Sequence, residues 1–254
     1  MRQDRRRFLK SLGALSAAGR IPARLASGET PASPEAGPGP DPHPQAFVYF
    51  TAPEAEFVEA ALARLIPADE LGAGAKEAGV AVFIDRQLTG AFGMMERGYR
   101  LGPWLEGTPQ QGDQSPLTPR EIYRAAIGEI EAFCRGKHGR SFAQLEAPEQ
   151  DEVLRGLDEG TLALASVKGP SFFSLLWENV QEGFFADPIY GGNRDKVGWR
   201  LVGFPGVAAV YTEQIERHGV PYRVEPVSIA DLQQKRVRVD AHGHPLHVKP
   251  DGRD

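Results

Sequence analysis

Thr51-Ala52-Pro53-Glu54-Ala55-Glu56-Phe57-Val58-Glu59-Ala60-Ala61-Leu62-Ala63-Arg64-Leu65-Ile66-Pro67 decides the fold class. Threonine followed three residues later by glutamate is a capping box, and proline between them belongs in a first helical turn, where its missing N–H costs nothing. Phe57, Val58, Ala61, Leu62, Leu65 and Ile66 then recur at the spacing that stacks side chains on one helix face, until Pro67 stops the run. The stretch is therefore an amphipathic helix with one side made for burial.

The same grammar repeats downstream. Val80, Phe83, Ile84 and Leu88 predict a helix over residues 75–88 closed by Gly90, packed on the first. Thr118-Pro119-Arg120-Glu121 is a second capping box, opening a helix through Ile122, Tyr123, Ala126, Ile127, Ile130, Phe133 and Cys134 that ends near Gly136. Ala147-Pro148-Glu149 starts another, with Val153, Leu154 and Leu157 before Gly160. A fifth runs from Ser171 through Phe172, Phe173, Leu176, Val180 and Phe184 to Asp187-Pro188. The fold class is mainly α, a single helical domain with long ordered loops.

Between these helices, residues 89–117 have no sustained period but hold Phe92, Tyr99, Trp104 and Leu105, which suits a long loop laid over a surface. After Pro188 the chain is too glycine-rich for a long regular element, so residues 189–206 read as ordered loop. Val237 and Val239 alternate with Arg236 and Arg238 and permit a short C-terminal strand or hairpin.

At the other end, Arg5-Arg6-Arg7-Phe8-Leu9-Lys10 precedes a mildly apolar stretch containing Leu12 and Leu15. Paired arginines ahead of a Phe-Leu-Lys step and a short apolar region make a twin-arginine export signal, with Arg5, Arg6, Phe8, Leu9 and Lys10 as its marks. The apolar part is about ten residues, half of the roughly twenty that cross a bilayer as a helix. Pro31, Pro34, Pro38, Pro40, Pro42 and Pro44 then exclude helix and paired strand and make a tether. The expected organisation is a signal at 1–26, a Pro/Gly-rich linker at 27–46, a helical domain at 47–225 and a polar tail at 226–254.

Charge and cysteine content bound the function. A net charge of −5 provides no basic field for nucleic acid, and no further segment is apolar enough to be a transmembrane helix. One cysteine, Cys134, excludes an internal disulfide, a Cys-x-x-Cys-His haem site and a cysteine-held iron–sulfur cluster within the chain. It falls on an apolar helix face and reads as core. Gly72-Ala73-Gly74 lacks the third glycine and the preceding strand of a dinucleotide site, and Walker, nucleophile-elbow and His-Glu-x-x-His patterns are missing. His242, His244 and His247 flank Gly243 and Pro245 as a solvated turn, with metal binding the sharper alternative. No catalytic, cofactor-binding or metal set emerges. The densest aromatic and glycine cluster is residues 184–206, where composition admits two readings, a partner surface or the domain's own core.

That cluster carries a family resemblance. Glu182-Gly183-Phe184-Phe185-Ala186-Asp187-Pro188-Ile189-Tyr190-Gly191-Gly192-Asn193-Arg194-Asp195 and Gly198-Trp199-Arg200-Leu201-Val202-Gly203-Phe204-Pro205-Gly206 closely resemble the gluconate 2-dehydrogenase subunit 3 family. Leu65-Ile66-Pro67-Ala68-Asp69, the run from Gly79 to Leu88, and Gly102-Pro103-Trp104 resemble its motifs in the same order. The resemblance implies a periplasmic accessory subunit, membrane-associated through its complex. Its partners would be an FAD-dependent large subunit, a cytochrome c subunit carrying haem, and the twin-arginine translocon that passes the folded large subunit. Trp104, Phe184, Tyr190, Gly191, Gly192, Asn193, Trp199 and Phe204 are the candidates for the interface or for specifying the fold. A stand-alone periplasmic ligand-binding protein or enzyme is the alternative.

Overall fold

A computed structural model describes residues 46–105, 107–111, 115–207, 211 and 214–247. The residues expected to form the export signal, Arg5, Arg6, Phe8, Leu9 and Lys10, and all but the last residue of the expected linker lie outside the described residues. Eight α-helices and four short 3-10 turns carry the described chain, with isolated bridges in place of any sheet.

Helix α1 (Ala52–Leu65) starts at Thr51, whose amide and hydroxyl both donate to Glu54 at 2.8 Å, closing the predicted box. Phe57, Val58, Ala61 and Leu62 are fully buried, and each large apolar side chain so removed from water contributes about 1.5–3 kcal/mol. Helix α2 (Val80–Thr89) starts five residues later than the periodicity predicts. Gly79 adopts φ 73°, and the amides of Ala78, Gly79 and Val80 close successive turns onto Gly74, Lys76 and Ala75. A left-handed residue cannot lie inside a right-handed helix, so 75–79 is a turn and the helix begins beyond it.

Helix α3 (Ala91–Met94) is a single turn at the head of the long connection. Helix α4 (Pro119–His138) runs past Gly136, where the sequence suggests an end, and stops at Gly139, which takes φ 71°. Tyr123 of α4 is fully buried, donates its hydroxyl to Asn179 at 3.0 Å, and meets Phe172 edge-on with ring centroids 5.5 Å apart. Helix α5 (Ala147–Asp158) is tied to α1 by the Arg64–Asp151 pair, two hydrogen bonds of 2.8 Å. Helix α6 (Gly169–Phe185) carries Phe172, Leu176, Val180 and Phe184 into the shared core.

The glycine-rich segment is more regular than its composition suggests: α7 (Val197–Val202) forms within it, and α8 (Ile229–Gln233) follows a Ser228/Asp231 capping box further on. At the C-terminal end, the expected hairpin is a tight antiparallel turn bridging Val239 and Pro245, with Asp240 and His244 bonded at 2.9 Å. No helix among the described residues is long and apolar enough to cross a membrane.

Cys134 is fully buried on α4, and that burial, with the Glu131 carboxylate nearby, pushes its thiol up to about 11. Since only the thiolate reacts, the native chain should react with a disulfide reagent near neutral pH at least roughly 100-fold more slowly than the unfolded chain, as a thiol titration before and after denaturation would show.

Candidate partner-binding surface

The segment singled out by the sequence is built on the carboxyl end of α6. A helix end leaves its last carbonyls without intrahelical partners, and here the following loop turns back to supply them. The Trp199 indole N–H donates to the Phe185 carbonyl at 2.7 Å, and the Asn193 amide donates to the Ala186 carbonyl at 2.8 Å. Asn193 in turn accepts the Gly198 N–H at 2.8 Å, which fixes the start of α7. Its own backbone sits at φ 47°, a left-handed conformation that asparagine tolerates better than most residues. Asp187 accepts from Ile189 at 3.0 Å and from Ile229 at 2.8 Å, so the chain after residue 226 is fastened to the same corner.

Glycines make this closure possible by close approach. A Cβ on Gly192 would fall inside the Gly183 carbonyl oxygen, one on Gly198 inside that of Phe184, and one on Gly206 inside that of Val227. Gly183 itself lets Phe83 and Val80 of α2 lie directly on the α6 backbone.

The candidate residues separate accordingly. Asn193, Phe184, Trp199 and Gly192 are buried, Gly191 is half-buried, and these positions specify the fold. Tyr190, Phe204 and Trp104 are exposed by 52%, 45% and 42%, which leaves them free to meet another molecule. Phe204 stacks edge-on against Trp199 at 5.2 Å, and the Arg100 guanidinium lies 5.6 Å from the Trp104 ring.

Tyr190 opens onto a groove of about 600 Å³ lined by Phe83, Gln87, Phe92, Glu182, Phe185, Ala186 and Tyr190. Phe83, Gln87 and Phe92 come from α2 and α3, and sequence reasoning did not join them to the motif. Phe83 carries the helical period of a core residue, and Phe92 sits alone in an aperiodic stretch, so only the packing of α2 on α6 brings them together. Glu182 is the one charged side chain in the lining, which suits neither a diphosphate nor any other anion. Near the C-terminus, His244 pairs with Asp240 at 3.1 Å, and among the described residues no three His, Cys, Asp or Glu side chains stand where a metal ion would be held.

The densest motif of this helical domain locks its own corner and leaves an apolar groove beside it. A family model described as gluconate 2-dehydrogenase subunit 3 matches residues 52–206. The match covers more than half of the chain, and the chain belongs to that family. No curated protein and no solved structure matches it.

Proposed function

We propose that this chain is the noncatalytic small subunit of a periplasmic FAD-dependent sugar or sugar-acid dehydrogenase. It binds the folded large subunit and carries it through the twin-arginine translocon on its own signal, Arg5-Arg6-Arg7-Phe8-Leu9-Lys10. FAD resides on the large subunit and haem c on a cytochrome subunit that takes the electrons. The observation that carries this reading is the family match over 52–206 downstream of a paired-arginine leader. Folded export suits a cargo that must acquire its flavin before crossing.

The test is co-expression with the large subunit followed by fractionation. Arg5→Lys/Arg6→Lys is expected to abolish most periplasmic dehydrogenase activity while active enzyme accumulates in the cytoplasm. Periplasmic activity at the unmodified level would sink the escort role.

The groove is also within the size range of small-molecule sites, roughly 300–1,000 Å³, which favours a stand-alone ligand-binding protein as the second reading. Sugars, however, are held by many convergent hydrogen bonds, and this lining presents only Gln87, Glu182 and the Tyr190 hydroxyl among aromatic rings. A purified monomer that binds or oxidises a sugar unaided would establish that reading.

A further inference from the structure

We propose that the groove between α2, α3 and the carboxyl end of α6 is the docking site for the large subunit. That subunit inserts an aromatic or long aliphatic side chain, and a lysine or arginine beside it in the same segment pairs with Glu182. The inference rests on the proposed assembly role and adds where, and by what chemistry, the partner is held.

Shape and rigidity come first. Phe83 and Gln87 stand one turn apart on α2, Phe185 and Ala186 close the end of α6, and Phe92 and Tyr190 flank the opening, exposed by 40% and 52%. The floor is preformed. Gly183 allows α2 to lie on α6 without an intervening side chain, and Trp199 and Asn193 hold the carbonyls of Phe185 and Ala186 from behind. A site ordered before binding loses little conformational entropy when occupied. Fixed aromatic walls around a desolvated centre are what binding hot spots are made of.

Charge selects the occupant. Glu182 is exposed on the groove rim, its Oε2 accepts only the Asn179 amide at 3.2 Å, and no cation pairs with it among the described residues. A carboxylate beside apolar rings favours an incoming ammonium or guanidinium through a charge-assisted hydrogen bond. It disfavours two other occupants. Membrane surfaces attract proteins through Lys and Arg against anionic headgroups, and the one charged side chain in this lining has the opposite sign. A two-fold contact with a second copy would set the same patch against itself, bringing one Glu182 towards the other. A protein segment combining an apolar anchor with a basic neighbour satisfies both features.

The experiment uses the full chain co-expressed with the large subunit, reading complex formation by co-purification and by affinity of the separated subunits. Phe92→Asp and Tyr190→Asp alter exposed rings and should leave the melting temperature unchanged while weakening association by about 30-fold or more, the scale of a hot-spot truncation. Glu182→Lys should weaken it by roughly 10-fold and reverse the salt dependence of this contact, since added salt then screens a repulsion. Tyr99→Asp and Ile215→Asp, at exposed positions outside the groove lining, should bind as the unmodified chain does. A photo-crosslinker at position 190 should capture a large-subunit peptide with Lys or Arg within one helical turn of an aromatic or aliphatic residue. Groove variants that bind normally, or a crosslink to lipid or to a second copy, would overturn the docking site while leaving the assembly role standing. Failure of the unmodified chain to bind the large subunit would remove both.

Discussion

Asp85→Ala is expected to destabilise the domain by about 3–5 kcal/mol, and Asp85→Asn by about 2–3 kcal/mol. Asp85 lies inside the domain on α2, and its carboxylate accepts three backbone N–H groups: Val48 at 2.8 Å, Tyr49 at 2.9 Å and Phe50 at 2.8 Å. Hydrogen bonds to a charged acceptor are worth more than neutral ones, and a buried donor left without a partner costs its full desolvation. Alanine takes the acceptor from all three donors, of which that of Phe50 is buried and those of Val48 and Tyr49 partly so. Asparagine keeps one acceptor oxygen but turns an NH2 group toward the rest, so it recovers only part. For a domain of this size each kcal/mol moves the melting temperature by about 2–4 °C, so alanine should lower it by roughly 6–20 °C.

A control separates this from general core damage. Residues 47–50 are also held by α4, where the Tyr49 hydroxyl donates to the Arg120 carbonyl and the Arg124 guanidinium stacks 4.5 Å from the Tyr49 ring and donates to its carbonyl. Amide hydrogen exchange in Asp85→Asn should therefore accelerate first at residues 48–50, with α5 protected until global unfolding. Equal acceleration everywhere, or an unchanged melting temperature, would refute the clasp. Those residues follow directly on the proline-rich stretch in sequence. A loosened clasp would thus place the fault at the amino-terminal edge of the domain.

How far the sequence reveals this architecture depends on how local each signal is. Thr51 with Glu54 and Thr118 with Glu121 announce α1 and α4 because a capping box is complete within four residues. The start of α2 is hidden because Ala75, Lys76, Glu77 and Ala78 are all good helix formers. What turns the chain there is the packing of Gly74 onto the backbone of residues 66–68 and the left-handed Gly79. Helix α7 is hidden for a related reason: Asn193 holds its first turn and Gly203, at φ 71°, ends it, and both roles exist only once the loop has folded back. Helix α8 falls in the stretch read as a polar tail, where the spacing of Ser228 and Asp231, the same box as Thr118 and Glu121, is complete but lacks an apolar run behind it. The aromatic cluster shows the limit most clearly. Phe184, Tyr190, Trp199 and Phe204 look alike in composition, yet two are core and two are surface. Only the return of the loop onto α6 decides which.

Gly198→Ala is expected to cost about 3 kcal/mol or more, because its Cβ would fall inside the Phe184 carbonyl oxygen and neither backbone can yield without opening α6 or α7. Asn193→Ala should cost a similar amount by another route, since it leaves the Ala186 carbonyl and the Gly198 N–H unpaired and forces alanine to hold φ 47°. Asn193→Gly relieves the backbone but not the lost bonds, so it should fall between Asn193→Ala and the unmodified chain in urea unfolding. An Asn193→Gly chain as stable as the unmodified one would show that the side-chain bonds contribute nothing. The same series separates the roles that the sequence leaves merged. Phe185 and Ala186 form part of the groove, and Asn193 and Trp199 hold their carbonyls, so loop variants should lose large-subunit binding only in proportion to lost stability. Their binding should return when the chain is restabilised by lower temperature or added osmolyte. Tyr190→Asp should behave in the opposite way, melting normally and binding about 30-fold more weakly whether or not the chain is restabilised, as the proposed docking site requires of an exposed ring in its lining.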